Sequence, residues 1–234
     1  MSRKNLYLFF IVTLILGVIS VISTFFLEME AIRMSRVVTT IIFFLLFLKF
    51  KWYKIKLFFA VFLLFILADI GIVFFEDKWF CYLKLISTIL AYFSLSTHVF
   101  LKIDFKNLKI FPSIVIGVLS ISHIFLVFHF RKIIEMQMHG VLHEILFYGY
   151  SLAATMFLLS SIMYNISSDS RKADVFLGMN ITFFLSDVLL MLAYYQGFFV
   201  TIQIEPIFHV LSLMLFLRYV ILCEEDEVSQ SYVE

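Results

Sequence analysis

The chain has 234 residues, of which 63% are apolar, 15% are charged and 31 are phenylalanine, and its formal net charge is +1. An apolar content this far above the ~45–50% of soluble domains excludes an ordinary water-soluble globule, and a charge near zero makes no case for a nucleic-acid partner. The apolar residues form uniformly apolar runs of the ~20-residue length that crosses ~30 Å of hydrocarbon. A β-barrel would instead show ~10-residue segments of alternating polarity. The composition predicts an all-α, polytopic membrane helix bundle.

In chain order, the first run, Leu6 to Leu27, follows a basic start. It is too long for the apolar region of a signal peptide, and no small-x-small cleavage site precedes Glu28, so it reads as an uncleaved first helix. The second is the shortest: Val37–Phe50 has 14 residues and spans only by reaching back past Arg36 towards Ile32. Then come Leu57–Phe75, Trp79–Leu101, Ile110–Phe130, Val141–Tyr164, Asp174–Tyr194 and Pro206–Cys223. This makes eight transmembrane helices, or seven if the second only dips into the interface. Residues 1–223 then form one transmembrane domain, and 224–234 an acidic tail (Glu224-Glu225-Asp226-Glu227) expected to be solvated and disordered. Cys81 and Cys223 fall at opposite membrane faces, so no disulfide joins them, and neither has metal-ligand spacing.

Basic residues in the connections orient the bundle. With the N-terminus inside, the inner segments carry Arg3, Lys4, Lys49, Lys51, Lys54, Lys56, Lys102, Lys106, Lys109, Arg171, Lys172 and Arg218. The outer ones hold Arg33, Arg36, Lys78, Arg131 and Lys132. This bias predicts that both termini are cytoplasmic. The connections are short, so function must sit within the bundle or at its mouths.

Two stretches stand out, Phe65-Ile66-Leu67-Ala68-Asp69-Ile70 and Phe183-Phe184-Leu185-Ser186-Asp187-Val188. Each places an aspartate inside an apolar run, where a charge costs roughly 2.5–3.5 kcal/mol on insertion scales. Asp69 lies 12 residues past Leu57 and Asp187 lies 13 past Asp174, on helices three and seven, which point the same way. The two carboxylates therefore share a depth, past the midplane towards the outside, as a four-plus-four parallel repeat would explain.

Other polar residues fall near that level: Lys84, His123, His143 and Glu144, and Glu205 and His209 at the opening of helix eight. Charges in hydrocarbon pair or line a wet cavity, and the natural pair is Asp69 with Lys84, across the Glu76-Asp77-Lys78 turn. Helical spacing adds a lining: Glu144, Tyr148, Ser151 and Thr155 on helix six, and Asn180, Asp187 and Tyr194 on helix seven. Each has a plainer reading. Serine and glycine stripes are packing surfaces that serve monomers and dimers alike, His98 and His129 are interfacial, Glu205 sits at the water boundary, and Lys84 neutralises Asp69. His139 and His143 are four apart, but Gly140 lies between them and no third ligand is evident, so neither metal nor cofactor is expected.

At these motifs the chain resembles the YhhN family of integral membrane proteins, whose animal members are lysoplasmalogenases. That family carries an Asp motif in helix three, here Ala68-Asp69, and a Ser-Asp motif in helix seven, here Ser186-Asp187. Thr97-His98-Val99-Phe100 is similar to its helix-four His-aromatic pattern, and Phe147-Tyr148-Gly149-Tyr150 and Gly178 also fit. Ala-Asp stands where Gly-Asp is usual, Ser35-Arg36-Val37 replaces Lys-Pro at helix two, and a Gln of the last helix is not evident. The resemblance implies a divergent member, an eight-helix bundle in a bacterial inner (plasma) membrane, acting on a lipid of that bilayer. Its chemistry would be hydrolysis of the vinyl-ether bond of a lysophospholipid. One aspartate would act as general acid and the other as the ionised partner, as glycosidases pair two carboxyls, either Asp187 as the acid with Asp69 ionised or the reverse. His123 and His209 would assist. The rival readings are a small-solute or proton-coupled transporter, and a non-catalytic membrane protein whose aspartates only hold helices together.

Overall fold

In this computed structural model the described residues are 3–26, 29–50, 55–105, 110–134, 138–168 and 170–231. They form eight helices: α1 (Arg3–Phe26), α2 (Met29–Lys49), α3 (Lys56–Val73), α4 (Lys78–Phe100), α5 (Ile110–Ile134), α6 (Val141–Ser167), α7 (Arg171–Gln196) and α8 (Phe199–Ser231). Among the described residues, α2, α3, α4, α6, α7 and Val200–Glu224 of α8 are long and apolar enough to cross a membrane. The protein is an integral membrane helix bundle.

Local signals set the helix ends. Asp77 caps α4, its side chain accepting from the Trp79 N–H at 2.8 Å. Ser170 caps α7 at its start, and Gly197, at φ +68°, closes it in the left-handed conformation that glycine adopts without cost. At Gly71 an added Cβ would lie 2.7 Å from the Phe80 carbonyl oxygen and 2.8 Å from the Lys84 nitrogen. Only glycine lets α3 and α4 approach this closely.

Two elements differ from expectation, the second of them at both ends. α2 begins at Met29 and is a full 21-residue helix, so Arg33 and Arg36 lie within it, not in an outer connection. α8 begins at Phe199, leaving Pro206 inside the helix and Glu205 and His209 well within it. Proline lacks the N–H that would bond the Ile202 carbonyl, a defect that membrane helices tolerate when neighbours satisfy the freed group. α8 also continues to Ser231, through the acidic stretch expected to be disordered. Glutamate is a good helix former, and extending an existing helix costs no new nucleus.

α7 packs on α8 and α6; α3 packs on α4 and α2; α4 and α6 meet, as do α2 and α8. α1 lies against α8 and α2, while α5 is peripheral, touching α6 and α7. The start of α2, the α3–α4 turn and the end of α7 gather at one end of the bundle, called the turn end below. There Arg33 bonds Glu76 at 2.6 and 2.8 Å and lies 4.5 Å from the Tyr194 ring centroid. Towards the opposite end the interior is an aromatic plug. Phe216 meets the rings of Phe58, Phe62 and Phe65 at 5.9, 5.4 and 5.8 Å, and Tyr219 meets Phe58 and Phe176 at 5.8 and 4.8 Å. With lipid tails as the solvent, such contacts stabilise by packing and ring geometry rather than by escape from water.

Candidate functional site: two carboxylates above an aromatic floor

Phe65 and Phe183 each precede an aspartate by four residues, one helical turn, and their rings stack at 4.7 Å between α3 and α7. The phenylalanines at matching offsets thus form a floor. Asp69 and Asp187 stand one turn above it on the turn-end side and line one small cavity with Arg36, Lys84, Tyr92 and His209.

Asp69 is 2% exposed. Its Oδ1 accepts from Arg36 Nε at 2.7 Å and its Oδ2 from the Thr40 hydroxyl at 2.5 Å. Arg36 and Thr40 are four apart on α2, so both reach α3 from one face. A second arm of the guanidinium pairs with Glu205 on α8 and lies 3.4 Å from the Ser186 hydroxyl, which itself donates to Glu205 at 2.5 Å. His209, four residues after Glu205, places Nε2 3.0 Å from Thr40 Oγ1 and 3.5 Å from Asp69. Thr40 gives its one hydrogen to Asp69, so the histidine Nε2 is the donor to Thr40. The His209 Nδ1 is buried with no hydrogen-bond partner among the described residues.

Asp187 has a different shell. Its Oδ2 accepts from the Tyr92 hydroxyl at 2.5 Å, and the Tyr150 hydroxyl faces the same carboxyl. Lys84 lies over the Tyr150 ring, its Nζ 4.5 Å from the centroid. The expected Asp69–Lys84 pair is therefore replaced by Asp69–Arg36. A guanidinium can serve Asp69 and Glu205 at once through its planar fork, which a lysine ammonium cannot do with fixed geometry.

Of the expected supporting residues, Ser186 and His209 join the Arg36 cluster and Lys84 borders the shared cavity. His98 does not. It lies towards the opposite end, bonded to Lys102 at 2.9 Å and packed edge-on against Phe58 at 5.2 Å. Glu144 pairs with Arg131 at 3.2 Å and Tyr148 packs on Phe147, both away from the aspartates. Asn180 is buried two turns below Asp187, its Nδ2 without a hydrogen-bond partner among the described residues. The side chain of His123 lies outside the described residues. Arg36, Thr40, Tyr92 and Tyr150 are the functional candidates that sequence reasoning passed over, and the sequence places Glu205 near the right level but also lets it read as a boundary residue. Glu205 is no boundary residue, being 5% exposed. The available signal was i,i+4 spacing, Arg36 with Thr40 and Glu205 with His209, at the depth of the aspartates.

Two further cavities, each about 40 Å³, meet at Asp187 and Tyr150. One is a vestibule at the turn end, between Phe75, Lys84, His143, Tyr194 and Tyr195. The other is a cleft between α5, α6 and α7, lined by Leu126, Val127, Phe130, Phe184 and Val188. Each has room for a few waters. Comparison with known proteins gives no match: no family model, curated protein or solved structure aligns with the chain.

Proposed function

We propose that the protein is a membrane-embedded, lysoplasmalogenase-like hydrolase that cleaves the vinyl-ether bond of a lysophospholipid. The observation that carries this reading is the position of Asp187, where an apolar cleft between α5, α6 and α7 meets a largely apolar vestibule at the turn end that also holds Lys84 and His143. On this reading an alkenyl chain enters by way of the first and a head group by way of the second, both of which must widen to admit the lipid, and the ether then lies between them, at the carboxyl. The two carboxyls also have unlike partners, as acid–base chemistry requires: a cation at Asp69, neutral hydroxyls at Asp187. The motifs Ala68-Asp69 and Ser186-Asp187, similar to those of the YhhN family, add to it.

In the proposed sequence, Asp187 gives its proton to the alkene carbon and leaves an oxocarbenium ion. Asp69 stabilises that cation and takes a proton from the water that adds. The hemiacetal then collapses, its hydroxyl proton returning to Asp187 while Asp69 protonates the departing glycerol oxygen. One water is consumed, and an aldehyde and a glycerophospho-compound result. The proposed setting is a bacterial plasma membrane, with eight spans and both termini cytoplasmic, the turn end then facing outward. Arg33 and Arg36, which lie within α2, the first buried and the second 11% exposed, drop out of the count of outer connection charges, which sharpens the positive-inside bias.

The pairing of one arginine with two carboxylates favours a second reading, a helix clamp without chemistry. Aldehyde release from a lysoplasmalogen by the purified protein, beside Asp69→Asn and Asp187→Asn, separates the two. The hydrolase reading expects release by wild type and at least a hundredfold loss in each folded variant. No release from a monodisperse wild type overturns it, and a clamp is then marked by unfolding of Asp69→Asn.

A further inference from the structure

The group that the scheme above leaves unused is Lys84. It is 8% exposed, at the level of the aspartates, and lines both the vestibule and the central cavity. Among the described residues no carboxylate lies within ion-pair distance of its ammonium, whose recorded contact is the Tyr150 ring. Asp187 is within the same cavities, but its carboxyl is engaged by Tyr92 and faced by Tyr150, and Asp69 is engaged by Arg36. A buried ammonium held only by a cation–π contact is poorly compensated in low dielectric, and it is a site for an incoming anion.

A second donor faces the same vestibule. His143 Nδ1 accepts from the His139 backbone N–H at 3.1 Å, so in the neutral ring the hydrogen sits on Nε2. Among the described residues that Nε2–H has only the Cys81 sulfur, at 3.5 Å, a weak acceptor. Gly71 sets the depth of Lys84, because the close α3–α4 approach at that point carries the lysine backbone into the bundle.

We propose that Lys84, with the Nε2–H of His143, forms a phosphate-binding subsite in the vestibule, which holds the phosphodiester of a lysophospholipid head group while its ether reaches Asp187. The vinyl ether and the phosphate are at the two ends of one glycerol, and Lys84 and Asp187 border the same two cavities. The proton that Asp187 carries in the hydrolase scheme also removes the negative charge that would repel the phosphate. The choice of lipid rests on that hydrolase reading; the anion site does not.

The test is binding, not turnover. Wild-type protein in phosphatidylcholine nanodiscs is titrated with a saturated 1-O-alkyl lysophosphatidylethanolamine, which has no vinyl ether to cleave, and with the matching 1-O-alkylglycerol, which has no phosphate. The expected result is about tenfold or more tighter binding of the phosphate-bearing lipid, the range of one buried charge-assisted contact. Lys84→Met should bring the ratio close to one and Lys84→Arg should keep most of it. Competition by inorganic phosphate would support the subsite and show that free phosphate enters. Tight lipid binding without such competition would support it as a site for lipid head groups alone. Equal binding of the two lipids by wild type overturns the proposal, even where Lys84→Met fails to fold, and so does an unchanged ratio in a folded Lys84→Met protein. A preserved ratio in a protein that releases no aldehyde would leave the subsite standing and remove only the hydrolase reading.

Discussion

Asp69 on α3 is held by a guanidinium and a threonine, whereas Asp187 on α7 is held by tyrosine hydroxyls. The supports come from corresponding helices: α2 and α8 for Asp69 (Arg36, Thr40, His209), α6 and α4 for Asp187 (Tyr150, Tyr92). That correspondence is what a four-plus-four repeat would give, with the frame kept and the lining changed. The difference teaches how a bundle can hold two carboxyls at one depth and give them unlike partners. One carboxyl has a cation and a charge-assisted hydrogen bond beside it, the other only neutral hydroxyl donors, so their electrostatic surroundings are unlike.

Removing the cation should break this contrast most severely. Arg36→Met would strand Asp69 and Glu205 in a buried layer at a cost of about 3–5 kcal/mol, read as a lowered unfolding midpoint in detergent. Adding Asp69→Asn and Glu205→Gln should recover a large part of that loss. If the triple variant is no more stable than Arg36→Met, the cluster is not an ion-pair network. Next in size is Gly71→Ala, which pushes a methyl into the α4 backbone and should cost about 1–3 kcal/mol, with the Lys84 and Asp187 region displaced. An unchanged midpoint would mean that α3 and α4 are not so closely packed.

Tyr92→Phe sharpens the contrast on the other side. It removes one neutral donor from Asp187 and should lower stability by about 1 kcal/mol, while leaving the Arg36 cluster intact. On the hydrolase reading, kcat should fall about tenfold with little change in KM; an unaltered kcat would separate Tyr92 from the chemistry. The smallest effect belongs to the Arg33–Glu76 pair at the turn end, of which only the glutamate is exposed. The hydrogen bond from Arg33 holds the Glu76 carboxyl below its usual range, the partial burial of Glu76 opposing it. A carboxyl so lowered contributes stability that is fully present above its unfolded pKa of about 4.3 and fades as pH falls through the lower folded value. Because the Glu76 side chain is 71% exposed, solvent screening keeps the term under about 1 kcal/mol. Glu76→Gln should flatten that acid limb slightly in a pH series of unfolding midpoints; a steeper limb would contradict the sign.

Run length and apolarity are properties of contiguous residues. The bundle, the depth of Asp69 and Asp187, and the phenylalanine one turn before each were therefore determined by the sequence alone. α2 was read too short because Arg33 and Arg36 look like loop charges when counted along the chain. They are tolerated inside the helix because Glu76, Asp69 and Glu205 meet them from α8 and from α3 and its turn. The same reasoning separates Lys84, assigned to Asp69 by adjacency, from Arg36, which reaches Asp69 across 33 residues and Glu205 across 169. Uniformly apolar helices carry no stripe that says which face meets which neighbour. Which cation faces which carboxyl was decided only by tertiary packing, where the charges that hydrocarbon will not solvate had to find one another.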